Sequence, residues 1–326
     1  MELRKDPITR SWVVIGHREQ SQLPAQPCPL CAAAAETSKL ILRLPNDGPA
    51  QVSVFPHPES LYRIEGEIGR SAEGIYDRMQ PVGAHEIVLE SPEHTRRFAD
   101  LREEEIERVM QAWMQRIQDL KRDMRFKYIT VFQNSGHEAG EDWEHSHSEI
   151  TATTFVPRRI LYELRASREY FQQKERCVFC DIVRQEERKG ARVVDSQGDY
   201  VAFCPYASRV PYETWVLSRK HNHAFEQPRP GVSRRNLAAV LGRMIRRLQK
   251  ISSAYHLVLH TAPNTQITKG ELSQYWSSIT DDYHWHIEVL PIVTRRSKSY
   301  SLKEVYFNEL LPEAAAEQLR GIDPAS

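Results

Sequence analysis

Two histidines one residue apart, His145 and His147, end a segment with two glycines, Phe132 to Glu149 (FQNSGHEAGEDWEHSHSE). On an extended strand, residues i and i+2 face the same side. One imidazole can therefore ligate a metal while the other points into the adjoining cleft. A neutral imidazole whose second nitrogen is held by an acceptor is a competent nucleophile toward phosphorus. By itself the pair also fits two metal ligands, or two unremarkable strand residues. Four of the five cysteines form two Cys-x-x-Cys pairs, Cys28/Cys31 and Cys177/Cys180. Each pair can join two histidines downstream, His94 and His145 for the first, His221 and His284 for the second. Two thiolates and two imidazoles suit tetrahedral zinc, and four protein ligands leave no open position, so both sites read as structural. Ligand type alone also admits other metals. His284-Trp285-His286 repeats the first His-x-His, with Glu288 in the place of Glu149. His286 reads as structural or substrate-facing. His85, His137, His223 and Cys204 have no evident partner, and Trp143 and Tyr206 read as core aromatics or base-stacking platforms.

The elements that must carry these residues recur in order. In the first half, residues 85–90 (HEIVLE) read as a strand stopped by Ser91-Pro92-Glu93-His94. Leu101 to Met124 has apolar residues at helical spacing, and Tyr128–Asn134 and Ser148–Val156 are β-prone. In the second half, Tyr200–Phe203 and Tyr212–Leu217 read as strands, followed by Ser218-Arg219-Lys220-His221. Leu237–Ala254 then reads as helix, and Tyr255–His260 and Tyr283–Val293 as strands. Cys-x-x-Cys, a strand ending at Ser-x-x-His, helix, strand and His-x-His thus occur twice, which points to duplication. The expected fold is α+β, two tandem units at residues 1–165 and 166–326, each an antiparallel sheet with flanking helices.

A chain of 326 residues accommodates two such units. Lys+Arg and Asp+Glu are equal at 44 each, so no global field draws the chain to nucleic acid or acidic membranes. Arg243–Arg247 with Lys250 read as a solvated helix face. No signal peptide or membrane span is evident, and paired cysteines suit a reducing compartment; the expected location is cytoplasmic.

The segment Phe132–Glu149 resembles the active-site segment of the galactose-1-phosphate uridylyltransferase family, part of the histidine-triad superfamily. Asp6-Pro7-Ile8-Thr9 with Trp12-Val13 and His17-Arg18, Cys28-Pro-Leu-Cys31, Ser91-Pro-Glu-His94 and Tyr283–Pro291 resemble its other motifs. The second Cys-x-x-Cys and Thr261-Ala-Pro263 resemble a two-zinc branch that includes ADP-glucose phosphorylase-like proteins. This resemblance implies histidine-triad-like halves, the first catalytic and the second not. His147 would attack the α-phosphorus of a nucleotide sugar, releasing a sugar 1-phosphate, and a second phosphate acceptor would attack the nucleotidyl-histidine. The backbone carbonyl of His145 would fix its tautomer. Arg18 and the amides of Gly136 and Gly140 would hold phosphate oxygens, and Asn134 would orient substrate. Two Zn²⁺ and a homodimer are implied. Three positions depart from the pattern: Ser146 for proline, Asp142 for a phosphate-contacting serine, and Glu149 for a phosphate-contacting glutamine. Two carboxylates beside a pyrophosphate repel it unless protonated or bridged by a cation such as Mg²⁺. A histidine-triad hydrolase and a zinc-stabilised nucleotide-binding protein with a degenerate site are the alternatives.

Overall fold

The computed structural model describes residues 1–16, 28–267, 276–293 and 305–325. Its largest feature is one ten-stranded antiparallel sheet shared by both halves. The first half supplies β3 (Leu42–Leu44), β4 (Val52–Pro56), β7 (Gly83–Leu89), β8 (Tyr128–Ser135) and β9 (His147–Thr153). The second supplies β10 (Val193–Gln197), β11 (Tyr200–Phe203), β12 (Thr214–Ser218), β13 (Tyr255–His260) and β14 (His286–Pro291). The strand order is β10-β11-β12-β14-β13-β8-β9-β7-β4-β3, so the halves meet where β8 pairs antiparallel with β13. Read outward from that junction, the two halves present equivalent strands in the same order: β8/β13, β9/β14, β7/β12, β4/β11 and β3/β10. The duplication expected from sequence thus appears as two five-stranded units fused edge to edge. A separate four-stranded sheet holds β1 (Glu2–Lys5), β2 (Trp12–Ile15), β5 (Ser71–Glu73) and β6 (Tyr76–Met79).

Helices cover both faces of the large sheet. On one face lie α2 (Glu103–Leu120), α5 (Arg234–Gln249) and α7 (Pro312–Gly321). In α2 the residues Ile106, Val109, Met110, Trp113, Ile117 and Leu120 recur at helical spacing and are all buried. Three glutamates, Glu103 to Glu105, fill its first turn, where the helix dipole favours negative charge. These side chains join Val131, Ile150, Leu257, Ile287 and Val289 of the sheet in the main core. The opposite face carries α1 (Pro29–Ala35), α3 (Arg158–Lys174), α4 (Val178–Lys189) and the short α6 (Ile279–Asp282). Helix α3 runs across the junction expected at 165/166.

Arg243, Arg246 and Arg247 of α5 are not a solvated stripe, although Lys250 beyond them is exposed. Arg243 donates to both Asp195 carboxylate oxygens at 2.8 and 2.9 Å, and Arg247 also reaches Asp195. Arg246 donates to the carbonyls of Ala99 and Leu101 at 3.3 Å. Their partners come from strand β10 and from the loop before α2, far away in sequence, so local periodicity alone reads them as exposed.

Candidate active site

Each Cys-x-x-Cys sits at the start of a helix. Cys28 is the residue capping α1 and Cys177 caps α4, so the second cysteine of each pair falls in the first helical turn. A helix N-terminus favours the thiolate form. Cys28, Cys31, His94 and His145 bring their donor atoms within 4.8 Å of one another, and so do Cys177, Cys180, His221 and His284. Cys31 Sγ lies 3.8 Å from His94 Nδ1 and 3.3 Å from His145 Nδ1. Cys180 Sγ lies 3.4 Å from His221 Nδ1 and 3.5 Å from His284 Nδ1.

The outer nitrogens of His145, His221 and His284 are held as metal-ligating histidines require. His145 Nε2 donates to the Ser91 carbonyl at 2.8 Å, and His221 Nε2 to the Thr280 carbonyl at 2.8 Å. His284 Nε2 lies 3.0 Å from Ser218 Oγ. Since a carbonyl only accepts, the proton of His145 and of His221 sits on Nε2, leaving Nδ1 free to ligate. Both sets fit a tetrahedral metal of the zinc type.

His145 leads directly into β9, whose first residue is His147. His147 Nδ1 lies 2.7 Å from the His145 carbonyl. The same reasoning applies: Nδ1 carries the proton, and Nε2 keeps its lone pair. His147, Glu149 and Thr151 face one side of the sheet, while Ser146, Ser148 and Ile150 face α2. Trp113 Nε1 donates to Ser148 Oγ at 2.7 Å on that helical side. Ser146 Oγ donates at 2.6 Å to the buried Glu90, which also accepts from Gln133 Nε2 at 2.8 Å. Burial pushes the Glu90 carboxyl up to about 8.

On the His147 side, the central strands form a floor that is less covered than the rest of the sheet. Thr130, Phe132 and Asn134 of β8 and His256 and Val258 of β13 are half-buried, whereas the alternate residues are buried. Asn134 stands on this floor and its Oδ1 accepts from His256 Nδ1 at 2.8 Å. Trp143 lies with its ring centroid 5.7 Å from that of His147.

Gly136, Gly140 and Asp142 lie on the loop that follows β8. Gly136 adopts φ +87°, and a side chain there would strike the Ser253 carbonyl at 2.6 Å. Its N–H donates to Glu141 Oε2 at 3.0 Å, and the Gly140 N–H donates to the His137 carbonyl at 3.0 Å. Glu141 is in turn held by Arg97 at 2.8 Å, and Arg97 also donates to the Glu144 carbonyl at 2.7 Å. This clamp shapes the 136–144 loop and has no local sequence signature. Asp142 is exposed. Arg18 lies outside the described residues. Tyr206 is 78 % exposed, on the second half.

Glu149 has neighbours that the spacing did not reveal. Its Oε2 accepts from His85 Nε2 at 2.6 Å and lies 3.7 Å from His57 Nε2. His85 sits on β7 beside Thr151 of β9, and His57 follows β4. The register of three strands, not sequence proximity, gathers them.

The second half repeats the geometry, and both histidines are buried, His147 at 4 % exposure. His286 Nδ1 lies 3.2 Å from the His284 carbonyl, as His147 does from His145. Its ring is packed between His260, 4.6 Å away, and Phe179, 4.9 Å away, and the residue is 1 % exposed. Burial holds its pKa down at about 4. Glu288 is engaged by Arg209 at 2.6 Å and Arg159 at 2.9 Å. Burial alone would raise its pKa; His260, Arg209 and Arg159 prevail and hold it at about 2. His286 is thus a buried, neutral ring stacked on His260, which pairs with Glu163 at 3.0 Å and lies 3.7 Å from Glu288.

The sequence pattern of the galactose-1-phosphate uridyl transferase N-terminal domain matches residues 57–157, and that of the C-terminal domain matches residues 163–324. The chain belongs to the galactose-1-phosphate uridylyltransferase family. It is a nucleotidyltransferase by that membership. It is 26 % identical over 333 residues to galactose-1-phosphate uridylyltransferase of Thermotoga maritima, covering 98 % of both chains. It is 25 % identical over 340 residues to ADP-glucose phosphorylase of Arabidopsis thaliana, covering 98 % of this chain and 93 % of that one. Among solved structures, a uridylyltransferase superposes with TM-score 0.82 at 24 % identity, covering 98 % of each chain. An Arabidopsis thaliana ADP-glucose phosphorylase with bound ADP-glucose superposes with TM-score 0.76 at 24 % identity, covering 99 % of each. These superpositions establish the shared fold. No helix among the described residues is long and apolar enough to cross a membrane.

Proposed function

We propose that this uridylyltransferase-family enzyme transfers a nucleoside monophosphate group from a nucleotide sugar to a sugar 1-phosphate or phosphate through a covalent bond to His147. The observation that carries this reading is the 2.7 Å contact from His147 Nδ1 to the His145 carbonyl. It puts a proton on Nδ1, so that Nε2 is the nucleophilic nitrogen of the ring in its neutral form, with no general base required. In the first step, the Nε2 lone pair forms a bond to the α-phosphorus while the bond to the leaving sugar phosphate oxygen breaks. In the second, an acceptor phosphate oxygen forms the new bond and Nε2 leaves with its electron pair. The backbone carbonyl that orients the ring belongs to a residue of the first Cys2His2 set. A zinc ion bound there would fix His145 and hence the ring two residues on; a second zinc at Cys177, Cys180, His221 and His284 would brace the other half. Asn134 on the cleft floor and Trp143 beside the ring are the substrate-facing residues this reading favours. The same reading includes Arg18 as a phosphate contact, a cytoplasmic location and a homodimer; the 136–144 loop would reach phosphate through groups other than the Gly136 and Gly140 N–H, which donate to Glu141 and to the His137 carbonyl.

The test is intact-mass spectrometry of the zinc-loaded protein incubated separately with UDP-glucose and ADP-glucose, with and without Mg²⁺, beside His147→Asn. The expected outcome is a gain of one nucleoside monophosphate in the parent protein and none in the variant. Release of sugar phosphate with steady turnover in the absence of any phosphate acceptor would instead identify a hydrolase. No adduct and no product with either donor would overturn the reading.

A further inference from the structure

Glu149 lies two residues beyond His147 on the same face of β9, where the resemblance implies a phosphate-contacting amide. A bare carboxylate there would oppose phosphate binding. Three observations bear on how it is accommodated. His85 Nε2, against a carboxylate that can only accept when ionised, acts as donor at 2.6 Å. His57 Nδ1 accepts from the Glu59 backbone N–H at 2.9 Å, which places the His57 proton on Nε2, the nitrogen 3.7 Å from the same carboxylate oxygen. The two imidazoles stack with centroids 3.9 Å apart and planes 16° apart, and all three side chains are buried. One N–H, that of His85, thus donates to Glu149, and a second from another element lies 3.7 Å from the same oxygen, on the same face of β9 as His147.

The second half provides an internal comparison. Glu288 occupies the equivalent place on β14, opposite Trp215 of β12, as Glu149 lies opposite Ile87 of β7. It too is met by donors from outside its own strand, Arg209 and Arg159. The acid at this position is therefore met by a donor from another element in both units, guanidinium in one and imidazole in the other.

We propose that His85 is a positioning residue that holds Glu149 by donating to its oxygen, with His57 stacked against it, turning that oxygen away from the phosphate of the bound nucleotide. With Glu149 so held, an anionic phosphate binds beside His147 despite the acid. This inference rests on the nucleotide-transfer reading, but its test does not need turnover. The experiment is a double-mutant cycle on the zinc-loaded, full-length protein, with UMP and AMP as probes and Kd measured by calorimetry. His85→Phe removes the donor and is expected to weaken binding of the better probe by at least about tenfold when Glu149 is present. In a Glu149→Gln background the same replacement is expected to cost less than about threefold, because an amide needs no counter-group. His85→Gln, which keeps an N–H, is expected to recover most of the loss and serves as the probe should the phenylalanine variant fail to fold. Equal losses in both backgrounds would reduce His85 to a packing role and overturn the proposal, as would an unaffected Kd in His85→Phe. A missing His147 adduct together with strong coupling would overturn the transfer reading and leave the role of His85 standing.

Discussion

At the scale of single residues, the His147 strand depends on what lies beneath it. Ser146 stands where the family's pattern has proline, and its hydroxyl donates to a fully buried acid, Glu90. Burial raises that carboxyl to about 8, with the hydrogen bonds from Ser146, Ser148 and Gln133 working against it. A glutamate in the unfolded chain titrates near pH ~4.3. Between those two values the folded protein keeps a proton that the unfolded chain has lost. Stability from this group is therefore complete below about pH 4 and drains away as pH rises toward about 8. Replacing it removes the dependence. In thermal melts of zinc-loaded protein, the melting temperature of Glu90→Gln minus that of the parent should grow more positive from pH 5 to pH 8.5. The upper bound on the effect is a few kcal/mol, on the order of three to five. Because both proteins share the same metal sets, the pH dependence of the ligands cancels in the difference. A difference that stays flat with pH would mean that Glu90 titrates alike in the folded and unfolded chain.

At the scale of elements, each helix start and strand end is tied by one Cys2His2 set. The first set joins α1, the turn after β7 and the lead into β9, the strand that carries His147. The second joins α4, the turn after β12 and the lead into β14. Cys31→Ser should therefore remove one of two bound metal ions by elemental analysis and lower stability by at least about 3 kcal/mol. It should also slow adduct formation at His147, since the His145 carbonyl loses its anchor. Cys180→Ser should remove the other ion at similar cost to stability but with a smaller effect on the adduct rate. Equal effects of the two variants on that rate would mean that the first metal does not orient His147. These sets were legible in the sequence because each rests on a two-residue spacing next to an element boundary, and the spacing occurs twice. The His-x-His pair was legible for the same reason. His85 and His57 were not, because their meeting with Glu149 depends on the register of β7 against β9 and on where the chain leaves β4. The Arg97–Glu141 pair that pins the 136–144 loop is equally silent: its partners are distant in sequence and of ordinary type.

At the scale of the whole molecule, the duplication was readable but its consequence was not. Nothing in the strand patterns says that β8 and β13 pair, which makes one ten-stranded sheet of two five-stranded units. On the helical face the same junction is sealed by α2 from the first half against α5 from the second. At Gly242 a β-carbon would sit 2.8 Å from Ile106 Cδ1. That atom is the end of a flexible side chain, so alanine can be admitted by a small shift, and the helix gains up to about 1 kcal/mol of intrinsic preference. Leucine cannot be admitted without pushing the helices apart, because Ile106, Met110, Leu241 and Ile245 are fully buried in one core. Gly242→Ala is expected to leave stability within about 1 kcal/mol of the parent, and Gly242→Leu to cost about 1–3 kcal/mol by denaturant titration. If the halves are held chiefly by this helical seam, the leucine variant will also broaden the transition as the two units begin to melt separately. A transition that weakens yet stays sharp would place the cooperativity in the β8–β13 pairing, which leucine at 242 does not touch.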